Sequence, residues 1–393
     1  VTFLYAVLGL ALGVLLVAGI VEQRRHQRNL DGIPNRILVN GIRGKSSVTR
    51  LCAGALRGGG LTVIAKTTGS AARFIHPDAT EEPVYRKFGI ANVVEQVEIV
   101  RRAVAVRPDV LVMECMAIAP ALQEVNQTKL VQSTLGVLTN VREDHLREMG
   151  PTLTDVARSL ARSMPVGGTC VTAERDLLPV LVAEARRRSC ELVVVDADDV
   201  TDEEMAGFHH HSVRENVAVS LEVARRLGIP RGPALRGMWQ APPDPGVLTV
   251  VPYRFGSASL RFANLFAAND PRSTVMNVRD LMARRQIGPP VAVLVNCRPD
   301  RIERNGQMGE IVPDLNADKL FTIGHPTRSA LAKVPSGWRG QVFDLGGANR
   351  PVEQILSTIV DEIDEHASLV AIGNIHGQGE KLLRHLERSD EPC

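Results

Sequence analysis

The chain has 393 residues, a net charge of +2 and ordinary charged and apolar fractions, enough for two or three domains with real cores. Near-neutral charge with 4% aromatic residues excludes a nucleic-acid binder built on basic patches and stacking platforms. The six cysteines (Cys52, Cys115, Cys170, Cys190, Cys297, Cys393) are scattered with no C-x-x-C, so a zinc ribbon or disulfide framework is not indicated and a reducing compartment fits.

Taken in chain order, Thr2 to Val21 is apolar or small throughout, and the first charge is Glu22. Such a run, at a helical rise of about 1.5 Å per residue, spans roughly the 30 Å of a bilayer core. Arg24, Arg25, His26 and Arg28 follow at once, and the preceding side carries no Lys or Arg. The positive-inside rule then predicts a single-pass anchor over residues 1–22 with the body of the protein in the cytoplasm. A cleaved signal peptide would show a basic n-region and a shorter apolar core. Residues 23–35, with Asp31-Gly32 and Ile33-Pro34, read as a basic linker.

Next comes the apolar run Ile37–Asn40, then Gly41-Ile42-Arg43-Gly44-Lys45-Ser46-Ser47, then a helical segment, Val48–Leu56. Strand, glycine turn, Lys-Ser and helix is the layout of a phosphate-binding loop, where backbone N–H groups and a helix N-terminus meet a polyphosphate. Lys45 would set a compact charge between phosphates, and the Ser46 hydroxyl could ligate Mg²⁺. The spacing is shorter than G-x-x-x-x-G-K-[ST], because position 39 is Val. Arg far outnumbers Lys in this chain, so a lysine kept in the loop points to a need for a slim point charge.

Leu61–Ala65, Val110–Glu114, Leu135–Asn140, Thr169–Thr172 and Leu192–Val195 read as buried parallel strands, with helices at Asn92–Val106, Thr152–Ser163 and Asn216–Leu227. This alternation predicts an α/β domain with a mostly parallel sheet over residues 36–230. The cluster Ala241-Pro-Pro-Asp-Pro-Gly246 marks a boundary region. Strands at Val291–Asn296, Leu320–Gly324, Val342–Leu345 and Leu369–Asn374 predict a second, smaller Rossmann-like domain over 231–393.

Three features raise the value of the loop. Glu114 closes an apolar strand, where open α/β sheets form their ligand crevice, and could hold Mg²⁺. Leu138-Thr139-Asn140-Val141-Arg142-Glu143-Asp144-His145 ends another strand in a polar turn, with His145 suited to a metal or a proton. Asn216 opens a helix after His209-His210-His211, a triplet whose members cannot converge on one ion and which reads as a solvated turn.

This order resembles the Mur ligase superfamily, ATP-dependent ligases that join an amino acid to a carboxylate. Gly41 to Ser47 matches the spacing of their loop, G-T-x-G-K-[ST]-[ST]. The resemblance implies that Gly41, Arg43, Gly44, Lys45, Ser46, Ser47, Asn140 and Asn216 bind the nucleotide. It implies that Lys45, Glu114 and His145 are catalytic and that Ser46, Glu114 and His145 hold Mg²⁺. A narrower resemblance rests on Lys66-Thr-Thr-Gly-Ser70, Asn140–His145, Phe262-Ala-Asn-Leu-Phe-Ala-Ala-Asn-Asp-Pro271, Asn296-Cys-Arg-Pro-Asp-Arg301 and Ile372-Gly-Asn-Ile-His-Gly-Gln-Gly379. Together these resemble the ligase subunit of poly-γ-glutamate synthase, the CapB/PgsB family. That implies activation of a glutamate-chain carboxylate as an acyl phosphate and attack by the amine of the next glutamate. It also implies small membrane partners that export the chain; a homo-oligomer is left open. Asn269, Asp270, Arg298, Asp300 and Arg301 are candidate contacts for the polyanionic substrate. One departure stands out: many Mur ligases carry a carbamylated lysine after the Asp-His turn, and here no lysine occurs between Lys129 and Lys319. The rival readings are a folylpolyglutamate-synthase-like ligase and a membrane-anchored NTP-binding switch that makes no bond. The anchor argues against the first. The second, if a GTPase, should carry Asn-Lys-x-Asp, which is not found.

Overall fold

Strand β1, Asn35–Asn40, explains why the apolar runs of this chain lack alternation: both of its faces are covered. Ile37 and Val39 pack on one side with Leu56 and Val217, while Leu38 packs on the other with Ile99 and Val100. Side chains two apart share a face of a strand, so a sheet with helices on both sides needs unbroken apolar strands. The computed structural model describes residues 2–68, 72–85, 92–208, 212–244, 248–255, 258–266, 271–347 and 349–389. It divides into two units, Val1–Asp244 and Pro245–Cys393.

The first unit carries an eight-stranded sheet. The other strands are β2 (Val63–Lys66), β3 (Arg73–Ile75), β4 (Glu81–Pro83), β5 (Val110–Glu114), β6 (Leu135–Leu138), β7 (Thr169–Thr172) and β8 (Glu191–Val194). Their order is β4-β3-β2-β5-β1-β6-β7-β8. All pairings are parallel except the β2–β3 and β3–β4 pairings at one edge, an antiparallel addition that the sequence reading missed. The β2–β5–β1–β6 core aligns the carboxyl ends of four strands, which is where ligands bind in such sheets.

Helix α1, Thr2–Asp31, is long and apolar enough to cross a membrane, and its apolar residues from Phe3 to Val21 include many that are exposed. It does not end where the span ends. The expected linker at 23–35 is instead mostly helix, welded to the first unit. Leu30 and Ile33 are fully buried beside Ile99, Val100 and Val131, and His26 Nε2 lies 3.0 Å from the Leu130 carbonyl. The Arg36 guanidinium donates to the carbonyls of Leu30 and Ile33, the helix-terminal acceptors that need partners. Turn signals at Asp31-Gly32 mark the end of this helix rather than a flexible segment.

The boundary expected at 230/231 also moves. Helix Arg231–Trp239 belongs to the first unit, because Gly237 and Gly54 allow it to approach the helix Lys45–Gly58, α2, closely. A Cβ on Gly54 would sit 2.5 Å from the Gly237 carbonyl oxygen. The first unit therefore ends at Asp244.

Among the described residues the second unit holds six strands: β9 (Thr249–Phe255), β10 (Ala258–Asn264), β11 (Val291–Cys297), β12 (Lys319–Gly324), β13 (Gln341–Asp344) and β14 (His366–Gly373). The order is β13-β12-β11-β14-β10-β9, with only β9 antiparallel. Helices Pro271–Ala283 and Ile302–Glu310 cover one face through Val278, Leu281 and Met308. Helices Val352–Glu362 and Gln378–Ser389 cover the other through Ile355, Ile359, Leu382 and Leu386. The chain thus leaves β11 and β14 toward opposite faces, which makes a switch point between those neighbours.

Candidate functional site

The phosphate-loop candidate is built by β1, the turn Gly41–Gly44 and the start of α2. Gly41 has φ +131°, and a Cβ there would lie 2.1 Å from Thr139 Oγ1, so the first glycine is required by both backbone and space. Gly44, at φ +80°, caps α2 in the left-handed region, and the Asn216 side-chain amide lies against it. Lys45 Nζ donates to the carbonyls of Gly41 (2.7 Å) and Ile42 (3.1 Å), folding its ammonium over the loop.

The Ser46 hydroxyl donates to Glu114 Oε2 at 2.8 Å, and Thr68 N–H donates to the same oxygen at 2.6 Å. Glu114 is 2% exposed. The two expected metal-ligating oxygens, 68 residues apart, are thus neighbours. A hydroxyl beside a carboxylate is a hard-oxygen pair that fits Mg²⁺, an ion usually held by one or two carboxylates with waters and substrate phosphates completing its shell.

Asn140, expected among the nucleotide-binding residues, sits against the loop itself. Its side chain grips the loop backbone: Oδ1 accepts from Arg43 N–H, and Nδ2 donates to the Arg43 carbonyl, each at 3.0 Å. Thr139 Oγ1 donates to that carbonyl at 2.6 Å, and Ile42 N–H donates to the Asn140 carbonyl. These two residues lie just past the end of β6, not in the strand predicted to Asn140, and strap the loop in shape. Arg43 also reaches Asp144, 3.4 Å away.

His145 is half-exposed, with φ +50°, at the start of a one-turn helix. Its nearest charged neighbours are Asp144 and Glu148, at 3.8 and 4.0 Å. Among the described residues no hydrogen bond or ion pair links it to Ser46 or Glu114, and no three His, Cys, Asp or Glu side chains form a metal-holding group. Ser46 and Glu114 are brought into contact, while the contacts described for His145 are with Asp144 and Glu148.

Two buried charge clusters flank the loop and were not anticipated. Lys66, fully buried at the end of β2, pairs with Glu95 at 2.6 Å, behind the Thr67–Thr68 segment that holds Glu114. The motif Lys66–Ser70 drew attention in the sequence, but its partner on the helix Glu95–Val104, α3, carries no local signal. Arg50, 3% exposed, takes Glu81 and Asp244 as partners. Burial pushes the Asp244 carboxyl up to about 7; Arg50 pulls it back, and Glu114 and Glu81 push it further.

In the second unit, Asn296 bridges the switch point, its amide donating to the carbonyls of Asn374 and His376. Arg298 pairs with Asp300 at 2.8 Å, with Arg301 4.0 Å from the same carboxylate. The expected cationic run is therefore partly neutralised from within. Asn269, Asp270 and His209–His211 lie outside the described residues.

Residues 39–227 match the Mur ligase middle domain, and residues 250–389 match the poly-gamma-glutamate synthase CapB C-terminal domain. The chain is 35% identical over 387 residues to "PGA synthase CapB" of Bacillus subtilis (strain 168), covering 96% of each chain. Among solved structures it resembles E. coli FolC in complex with ADP, with TM-score 0.68 at 15% identity over 93% of this chain and 92% of that one. It also resembles a bifunctional folylpolyglutamate synthase/dihydrofolate synthase with Mn, AMPPNP and L-glutamate bound, with TM-score 0.64 at 16% identity over 92% of both chains. The chain belongs to the CapB family of poly-γ-glutamate synthases, with a Mur ligase middle domain.

Proposed function

We propose that this chain is an ATP-dependent amide ligase that polymerises glutamate through γ-linkages. The carrying observation is the Ser46–Glu114 hydrogen bond at the foot of a short phosphate loop strapped by Asn140. The name of the B. subtilis relative supports the polymer, and the nucleotides and glutamate bound to the FolC-like structures support the substrates. In this reading a chain-terminal carboxylate oxygen attacks the γ-phosphorus of ATP. The bond to ADP breaks, and an acyl phosphate forms. The amine of the next glutamate then attacks the acyl carbon; the C–O bond to phosphate breaks, phosphate leaves, and the amine loses a proton.

Phosphoryl transfer of this kind needs mainly positioning and charge stabilisation. Lys45, leaving the Gly41 and Ile42 carbonyls, would meet the phosphate oxygens, while loop N–H groups and the α2 N-terminus add further donors. Ser46 and Glu114 would hold Mg²⁺, which when bound neutralises phosphate charge. For His145 as ligand to a second ion, the support is the Mur-ligase resemblance. For Arg298, Asp300 and Arg301 as substrate contacts, it is their place beside the second-unit switch point. The exposed apolar length of α1, followed by Arg24, Arg25 and Arg28, supports a single-pass membrane anchor with both units on the cytoplasmic side. Small membrane subunits that receive the polymer complete the proposal.

The test is to trap the activated carboxylate. Membranes containing the chain, given ATP, Mg²⁺, glutamate and hydroxylamine, should yield a glutamyl hydroxamate, and Lys45→Ala should yield none while still folding. Glutamate-independent ATP turnover without hydroxamate would instead favour an NTP-driven switch.

A further inference from the structure

The segment that ends the first unit runs along α2 toward the phosphate loop. A Cβ on Gly58 would meet Pro233 and Gly237, one on Gly54 would meet Gly237 and Ala241, and Arg50 reaches Pro242 and Asp244. From residue 233 to 244 the chain thus climbs α2 from its last turn toward its first. Arg50 is where the climb is fastened. It follows Ser46 by four residues and so shares a face of the helix with it.

The guanidinium uses all three nitrogens. Nη1 and Nη2 fork onto the two oxygens of Glu81, Nη2 at 2.9 Å, on edge strand β4. Nε faces Asp244 Oδ1 at 3.4 Å, and Nη1 also faces the Pro242 carbonyl at 3.4 Å. A buried arginine of this kind is expensive unless its donors are met, and a planar fork can meet several partners where an ammonium cannot. Glu114, the acid that touches Ser46, and Glu81 both push the Asp244 carboxyl further up, against the pull of Arg50.

We propose that Arg50 is a positioning residue: with Asp244 and Glu81 it latches the exit segment of the first unit to the phosphate-loop helix, so that the chain leaves that unit from a fixed point tied to the nucleotide site. The latch itself stands on these contacts, whereas its effect on turnover rests on the ligase reading above. A role confined to stability would lower nucleotide affinity and turnover together. A latch separates them, because the loop is strapped by Thr139 and Asn140 and does not need Asp244.

The experiment uses the full chain in detergent, with Arg50→Lys and Asp244→Asn, and Arg57→Lys as comparison. Arg57 lies two turns on along α2 and ties it to the His76 carbonyl, with no hydrogen bond to the exit segment among the described residues. Three readouts are taken: hydrogen exchange of the peptide Trp239–Asp244, binding of a fluorescent ADP, and glutamate-dependent ADP release. In both latch variants, exchange should quicken about tenfold, and in Arg57→Lys it should not. Turnover number should fall about tenfold while nucleotide affinity changes less than about threefold. Unchanged exchange overturns the latch. Faster exchange with unchanged turnover overturns the positioning role, as does a loss of nucleotide affinity equal to the loss of turnover. If the wild type releases no ADP in response to glutamate, the ligase reading fails, and exchange still decides the latch.

Discussion

Replacing Asn140 by Ala tests whether this residue holds the loop or contacts the nucleotide itself. Its amide makes two hydrogen bonds to Arg43, one to the N–H and one to the carbonyl, each 3.0 Å long. The carbonyl keeps Thr139 Oγ1 after truncation, so that loss is an ordinary hydrogen bond of about 1 kcal/mol. The Arg43 N–H is stranded in a half-buried turn, which adds about 1–3 kcal/mol. The loop conformation is then disfavoured by about 2–4 kcal/mol in total, an upper limit of roughly 30- to 700-fold on nucleotide affinity if all of it appears at binding. The assay is titration with fluorescent ADP and GDP analogues, alongside thermal melting. A strap predicts the same proportional loss for adenine and guanine nucleotides, because neither bond involves a base. Asn140→Asp, which can accept from the N–H but repels the carbonyl, should fall between wild type and Ala. An affinity within twofold of wild type for the Ala variant would refute the strap, and a loss confined to adenine nucleotides would instead show a direct contact with the base.

Glu114→Gln keeps the shape but removes the charge opposite Ser46; the Mg²⁺ concentration for half-maximal ADP release should rise severalfold or turnover should vanish, and an unchanged titration counts against Glu114 as a ligand. Asp244 offers a pH signature. Its carboxyl titrates near 7 when folded against 3.8 in the free side chain, so between these values the folded state keeps a proton that the unfolded state has lost. Stability must then fall as pH rises through that window, by at most about 1.4 kcal/mol per unit, and level off above it. Melts of wild type and Asp244→Asn from pH 4.5 to 8 should show the wild-type advantage shrinking with rising pH; a constant difference would remove the raised carboxyl from the account.

The parts of this protein visible in its sequence are those written in neighbouring residues. Gly41 and Gly44 announce a turn with positive φ, Lys45 and Ser46 announce phosphate chemistry, and unbroken apolar runs announce strands covered on both faces. The span from Thr2 to Val21 is equally local. Even the order loop, Glu114, Asn140–His145 carries the likeness to Mur ligases without any fold in view. The helix end at Asp31 was misjudged because Asp-Gly and Ile-Pro mark a turn but do not say what the preceding turns pack against.

What only tertiary structure decided is which distant residues meet. Strand order puts β5 beside β1 and so brings Glu114 to Ser46; the apolar pattern of each strand fixes its faces but not its neighbours. The same order turns Asn140 back onto Arg43, making it a strap, and leaves His145 with Asp144 and Glu148. Arg50 meets Asp244 across 194 residues only because Gly54 and Gly237 let two helices approach. Periodicity and turn chemistry are set within a few residues of each position, whereas these contacts depend on how whole elements stack, a quantity that no local stretch contains.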